Sequence, residues 1–369
     1  MDKNVILITT NIAPYRLRWC EELSKYFDVV IYHTQDREIN YYDEFLKHDS
    51  NKCKVIKLKN KKDKYNPICF DVINVIKENK DSFIIFDGYG PKTNLLGLIY
   101  CKLKGIKTFV NVDGYPTERK KSRIREFVKG FVIKNLCENF FCGGNTVIEY
   151  LVKYGAKRSN IYVHNFSSIT NDRILTKPLS RKQKLKIRKE IGINSNKKIV
   201  LGVGRFIPLK RFEDLIQAVI NCEYDCELYL LGGKPNKSYL DIVNNNKNIH
   251  FIDFVLPEEV DKYYQSADLF VLPSETDVWG LVINEAMAQG LPVISSDSPV
   301  AAANMINNNG FIFKTYDVDD LSKKIILCLD DKTNLNMSQN SLKIIKEFTI
   351  EKMVEKQLPV IMKYFECKI

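Results

Sequence analysis

The stretch LFVLPSETDVWGLVINEAMAQGLPVI, residues 269–294, reads as strand, loop, helix, strand. Leu269 to Leu272 is a short unbroken apolar run, of the kind a parallel sheet buries on both faces. A helix begins near Gly280, and the run from Pro292 to Ser295 is the next strand. Strand, helix, strand is the repeating unit of an α/β fold. The same stretch carries chemistry. Asp277 falls in the loop, and Glu285 more than one turn inside the helix. Between them stand Gly280, Leu281 and Val282, whose backbone N–H groups lack intrahelical acceptors at a helix start. Such donors, with the positive end of the helix dipole, favour bound phosphate. A carboxylate inside the helix can accept hydrogen bonds from sugar hydroxyls. One segment therefore offers contacts to both halves of a nucleotide-sugar.

Outward from this stretch, short apolar runs alternate with helical-period segments along the whole chain. The predicted strands of the first half are 5–9, 29–33, 83–86, 107–112, 139–142 and 161–164. Those of the second half are 198–203, 227–231, 249–252, 269–272, 292–295 and 310–313. The rhythm restarts near residue 198. Residues 165–178 between the two series are polar and irregular, and a charged helix follows from about Ser180 to Glu190. These breaks predict two Rossmann-like domains, 1–170 and 171–349, with a last helix in 350–369 packing back on the first. The length of 369 residues suffices for two cores. In open α/β sheets ligands bind beyond the carboxyl ends of the strands, so two such domains facing each other would make a cleft.

Composition narrows the class. The chain is 45% hydrophobic and 27% charged, as in soluble globular proteins, and no apolar run nears the length of a membrane span. The N-terminus lacks a small-residue cleavage site and reads as the first strand of a cytoplasmic domain. The ten cysteines form no CxxC pair and have no zinc-site spacing, which points to small buried thiols in a reducing compartment. The four histidines, His33, His48, His164 and His250, show no metal spacing and read as structural or surface groups. The net charge is +11, and all of the excess lies within residues 1–180. It gathers in 52–64 and 119–134. A basic half can meet nucleic acid, an anionic membrane or an acidic substrate, and a lysine-rich genome would also produce it. The patches lack an aromatic stacking pattern, so no nucleic-acid partner is expected.

The second domain opens with Val200-Leu-Gly-Val-Gly-Arg-Phe-Ile-Pro-Leu-Lys-Arg211. Gly202 and Gly204 end a strand and would let a ligand approach the backbone. Arg205 and Lys210 supply a fork and a point charge suited to a diphosphate. Ile207 stands where a dinucleotide fingerprint needs its third glycine, and the P-loop pattern is absent.

Together these segments resemble the donor-binding domain of retaining GT-B glycosyltransferases of family 4. That family shows Gly-Arg-Leu-x-x-x-Lys-Gly, then a strand ending Ala-Asp-x-x-x-x-Pro-Ser, then Glu-x7-Glu. Here Ala267-Asp-Leu-Phe-Val-Leu-Pro-Ser274 leads into Asp277-x7-Glu285. The resemblance implies that Arg205, Lys210 and the amides of Gly280, Leu281 and Val282 bind the donor diphosphate. It implies that Glu285 binds the ribose hydroxyls and Asp277 the transferred sugar, catalytic roles falling to Asp277, Arg205 and Lys210. Phe254 and Val255 would lie near the base, with Gly204 and Gly232 lining the pocket. It also implies transfer without a divalent metal, and Asp317-Val-Asp319 reads as a helix cap. Two departures stand out. Asp277 replaces the usual glutamate, one methylene shorter, and Arg211 replaces the glycine after the lysine, where it reads as a solvent-facing helix start.

In the first domain, Thr10-Asn-Ile-Ala-Pro-Tyr-Arg16 resembles the entry segment of family members that build bacterial surface polysaccharides. Arg16 could meet a phosphate or be structural. Many members carry a histidine near residues 111–116; this chain has none there, and Asp113 is the nearest capable group, to orient an acceptor hydroxyl or act as base. A turn-forming Asp-Gly explains Asp113 nearly as well. In 119–136 basic residues alternate with Ile124, Phe127, Val128, Phe131 and Val132 on one helical face. That face would pack on its own sheet or rest on an anionic membrane.

The function expected is transfer from a nucleotide-diphosphate sugar, UDP favoured, to a saccharide or lipid-diphosphate-linked acceptor in capsule or other surface polysaccharide synthesis. The protein would be cytoplasmic or peripheral on the membrane. A nucleotide-sugar epimerase or a non-catalytic sugar-nucleotide-binding subunit is the alternative.

Overall fold

The computed structural model describes residues 3–34, 53–59, 66–115 and 122–367. Lys52, Lys61, Lys62 and Lys64 of the first basic cluster, His48, and Arg119–Lys121 of the second lie outside the described residues.

Two parallel sheets form, in two compact units. The first unit holds β1 (Asn4–Thr9), β2 (Asp28–His33), β3 (Lys54–Lys57), β4 (Phe83–Asp87), β5 (Thr108–Val112), β6 (Asn139–Cys142) and β7 (Ile161–Val163). Their order is β3-β2-β1-β4-β5-β6-β7. The second unit, Ile169–Thr349, holds β8 (Lys198–Val203), β9 (Cys226–Leu231), β10 (Ile249–Ile252), β11 (Leu269–Leu272), β12 (Val293–Ser296) and β13 (Gly310–Phe313). Their order is β10-β9-β8-β11-β12-β13. All twelve predicted strands are present, with ends within one residue. The strand not predicted is β3. Its lysines sit at the exposed ends of a sheet-edge strand, where charge discourages further pairing, and they hide the short Val55–Ile56 apolar core.

The central strands are apolar because helices cover both faces. Val5 to Ile8 and Leu269 to Leu272 are all buried. In each sheet the order reverses at the first strand of the series, between β1 and β4 and between β8 and β11. Crevices for ligands open beyond the carboxyl ends at such switch points.

Two helices explain how the second unit starts and how the first is completed. The helix Arg181–Glu190 begins in a capping box between Ser180 and Gln183. Its charged face is turned inward: Lys184 Nζ lies 3.0 Å from Asp268 Oδ1, and Arg188 Nη2 lies 2.7 Å from Asp268 Oδ2. The Ile199 N–H donates to the same carboxylate at 2.9 Å. The acidic residue of the Ala267-Asp268 motif is therefore a buried clasp joining this helix to β8 and β11. The helix Ile350–Glu366 belongs to the first unit. There Tyr364 donates to the Ser82 carbonyl at 2.8 Å, and the Trp19 indole donates to Gln357 Oε1 at 2.7 Å. No described helix is long and apolar enough to cross a membrane.

Candidate active site

In the second unit the switch-point crevice is built by the ends of β8 and β11. After β8 the chain passes Gly204 and Arg205 and makes a tight turn at Pro208–Lys210. The Glu275 N–H donates to the Leu209 carbonyl at 2.9 Å, tying this turn to the loop that follows β11. That contact brings Lys210 Nζ to 2.6 Å from Asp277 Oδ2, with the two side chains 18% and 21% exposed. Two residues expected to meet different parts of a donor thus pair with each other here. Arg205 is exposed and makes no ion pair among the described residues.

Two glycines are explained by geometry. Gly232, at φ +156°, approaches the backbone of the neighbouring strand end: a Cβ there would stand 1.8 Å from the Gly204 carbonyl oxygen. The close approach at Gly232 is therefore one of protein backbone to protein backbone. Gly280, at φ +102°, precedes the helix Leu281–Ala288 in a left-handed conformation, and a Cβ would press Leu272 and Pro299 at 3.2 Å. The turn is braced by Trp279, whose buried indole donates to Asn284 Oδ1 at 2.9 Å. Arg211 also adopts a left-handed conformation, at φ +52°. A glycine, the residue that the resemblance leads one to expect here, would suit that geometry. Arg211 is held there by Asp214 at 2.5 Å and by the Tyr316 ring at 4.8 Å.

Glu285 is half-buried on the helix, and Tyr264 donates its hydroxyl to Glu285 Oε2 at 2.9 Å. Burial, then the Glu285 charge, push the Tyr264 phenol well above its ordinary range, so it stays a neutral donor. Nearby, Arg173 forks onto Asp261 at 2.6 and 3.2 Å. Tyr264 and Arg173 were not read from the sequence. Tyr264 falls three residues before Ala267-Asp268, and no local pattern marks it as a partner of Glu285. Beyond β10, Phe254 is exposed and Val255 half-buried. The Gly232 and Gly233 N–H groups reach the Ile252 carbonyl at 3.2 and 3.4 Å, which sets these loops side by side. Asp317 caps the helix Val318–Leu329 by accepting from the Asp320 N–H at 3.0 Å.

In the first unit the carboxyl ends of β1, β4, β5 and β7 converge on one buried cluster. Arg16, on the helix Pro14–Leu23, is 2% exposed. Its Nη2 lies 2.6 Å from both Asp87 Oδ1 and Asp113 Oδ2, and Thr9 donates to Asp87 Oδ2 at 2.8 Å. Burial works against the Arg16 charge, but Asp113 and Asp87 more than reverse this and keep it protonated. Of the two roles open to Arg16, a phosphate contact or a structural one, the pairing with two carboxylates fits the structural one. Burial raises the Asp113 carboxyl to about 6; Arg16 opposes the rise and Asp87 adds to it.

The basic helix Arg123–Asn135 does not pack as a core face would. Ile124 and Phe127 are 77% and 75% exposed, Val128 and Phe131 are also exposed, and of the five apolar residues only Val132 is buried. Arg123, Arg125 and Lys134 are exposed on the same helix.

Residues 183–344 match the family described as "Glycosyl transferases group 1". The match lies within the second unit. The chain is 26% identical over 237 residues to N-acetyl-alpha-D-glucosaminyl L-malate synthase of Bacillus anthracis, covering 58% of this chain and 62% of that protein. It is 25% identical over 285 residues to N,N'-diacetylbacillosaminyl-diphospho-undecaprenol alpha-1,3-N-acetylgalactosaminyltransferase of Campylobacter jejuni, covering 74% of each. Three of the curated relatives, the synthase among them, are spanned over 62, 31 and 32% of their own length, less than two thirds. Among solved structures, the chain resembles Anabaena Alr3699/HepE in complex with UDP, with a TM-score of 0.78 and 16% identity, covering 98% of this chain and 100% of that one. The fold is GT-B.

Proposed function

We propose that this protein is a retaining glycosyltransferase. It moves a sugar from a nucleotide-diphosphate sugar, UDP-linked in the first instance, to a saccharide carried on a lipid diphosphate, in the synthesis of a cell-surface polysaccharide. The observation that carries the reading is the Lys210–Asp277 pair, 2.6 Å long, beside the helix start at Gly280. A cation for phosphate and a carboxylate for sugar hydroxyls stand together at a switch point. The UDP complex of the Anabaena protein supports the donor class, and the name of the Campylobacter relative supports a diphospholipid acceptor.

In this reading the donor diphosphate takes over Lys210, together with Arg205 and the amides of Gly280, Leu281 and Val282. Asp277, released from the lysine, accepts from the sugar hydroxyls. Glu285, steadied by Tyr264, accepts from the ribose. The bond between the anomeric carbon and the diphosphate oxygen breaks, and its electron pair leaves with the nucleoside diphosphate. The acceptor oxygen bonds to the same face of that carbon, and its proton passes to the departing phosphate oxygen. Fixed donors aimed at the charge that develops on the leaving group lower the barrier without a metal. Asp113 accepts a hydrogen bond from a substrate hydroxyl in the first unit.

A panel of UDP- and GDP-sugars, offered with lipid-diphosphate saccharides in EDTA, tests this. Turnover of one donor, insensitive to EDTA and weakened in Arg205→Ala, is the expected result. No saturable binding or turnover across the panel, or an Arg205→Ala enzyme indistinguishable from wild type, would overturn it.

The exposed helix Arg123–Asn135 supplies the membrane contact in this account. Its four exposed apolar side chains enter an anionic lipid surface while Arg123, Arg125 and Lys134 meet the headgroups. Each phenylalanine buried is worth about 1.5–3 kcal/mol. In sedimentation with phosphatidylglycerol vesicles, the Phe127→Ser/Phe131→Ser double variant should therefore bind at least roughly tenfold more weakly than wild type. Equal binding by the two proteins, or equal binding to phosphatidylcholine vesicles, would count against the contact.

A further inference from the structure

Around Asp113 a line of buried side chains fixes the position of one proton. The Trp19 indole can only donate, and it does so to Gln357 Oε1 at 2.7 Å. That fixes the orientation of the Gln357 amide, because the reverse would set two donors face to face. The amide NH2 group then faces His164 Nδ1 at 2.6 Å. An amide nitrogen can only donate, so Nδ1 is the acceptor and the neutral ring carries its proton on Nε2. His164 Nε2 in turn lies 3.9 Å from Asp113 Oδ1. Trp19, Gln357 and His164 are each 0% exposed. The His164–Asp113 separation is beyond hydrogen-bond reach, and both atoms, His164 Nε2 and Asp113 Oδ1, are buried with no hydrogen-bond partner. The second Asp113 oxygen is occupied by Arg16.

We propose that His164 is a positioning residue for Asp113, locked by Gln357 and Trp19 as its Nε2–H tautomer so that its one N–H stabilises and aims the Asp113 carboxylate. This rests on the reading of Asp113 as the group that meets a substrate hydroxyl. A histidine from the end of β7 thus supports the position at the end of β5 where many family members carry the histidine itself.

The surrounding charges are consistent with that arrangement. Asp113 faces Arg16, Asp87 and His164; His164 faces Asp113, Arg16 and, from the last helix, Lys356. Burial, with Arg16 and Lys356, lowers His164 to about 3. The ring is therefore neutral throughout the range in which Asp113 ionises.

Two measurements on the full chain test the proposal without any substrate. A long-range ¹⁵N–¹H correlation spectrum of the imidazoles, with His164 assigned by substitution, should show the Nε2–H tautomer between pH 5 and 8. A ¹³C-carboxyl titration should place the Asp113 midpoint near 6 in the wild type. His164→Leu should move it up by roughly one pH unit, through loss of an N–H dipole turned toward the charged form. His164→Gln, whose amide nitrogen reaches the Nε2 position, should bring it back. An Nδ1–H tautomer, or one midpoint shared by all three proteins, would overturn the proposal. If His164→Leu fails to fold, the wild-type tautomer alone decides. The underlying reading fails separately, if Asp113→Asn transfers sugar at the wild-type rate.

Discussion

Replacing Lys210 by alanine is expected to lower kcat/KM for the donor by roughly 10²–10³-fold, the usual effect of removing one fixed donor from developing negative charge. Stability should hardly change. The Lys210–Asp277 pair is about one-fifth exposed on each side, and partly solvated pairs contribute only about 0–1 kcal/mol. Steady-state kinetics and thermal unfolding on the same preparation separate the two effects. Asp277→Ala should lose activity through the sugar contact and leave Lys210 unpaired, so the double variant should fall short of the product of the two single effects. A Lys210→Ala enzyme with unchanged kcat/KM, or one whose loss is matched by a large fall in unfolding temperature, would contradict the assignment.

The second large effect concerns folding. Asp268→Ala leaves Lys184 and Arg188 buried without their counter-charge, which should cost about 3–5 kcal/mol. Denaturant unfolding of the two proteins measures it. The pH dependence has a definite sign. Burial alone would raise the Asp268 carboxyl, but Lys184, Arg188 and the Ile199 N–H outweigh it and hold it below the ordinary range. The stabilisation is therefore complete above the unfolded value of about 3.9 and is lost as pH falls through the lower folded value. Wild-type stability should drop on that acid limb, and Asp268→Ala should show a flatter one. Parallel limbs would mean that the clasp contributes little.

Much of this was legible in the sequence for one physical reason. Parallel strands buried on both faces must be apolar throughout, so β1, β8 and β11 announce themselves. The cap at Asp317 reads directly, since it stands where a helix start needs an acceptor. The edge strand β3 escaped because its exposed lysines mask a two-residue apolar core. The members of the donor crevice could be named from order and spacing, but the pairing of Lys210 with Asp277 could not, because it depends on a backbone contact between Glu275 and Leu209. Arg211 reads as a solvent-facing helix start; it does stand at the start of the helix Phe212–Ile220, but half-buried and in a left-handed conformation that the sequence does not announce. The helix Arg123–Asn135 has the period of a core-facing helix, and periodicity alone does not say whether a sheet covers it. The cluster around Asp113 was least legible. Its partners Trp19, His164 and Gln357 are joined over sequence separations of 338 and 193 residues, and no local pattern links them.

The central claim is that the second unit holds a nucleotide-diphosphate sugar between Lys210 and Glu285. Isothermal titration of UDP-sugars into the protein in EDTA tests it most directly. The account predicts saturable 1:1 binding of a UDP-sugar, weakened at least roughly tenfold in both Lys210→Ala and Glu285→Ala, corresponding to about 1.4 kcal/mol or more in each. Absence of binding, or binding that neither substitution alters, would contradict it.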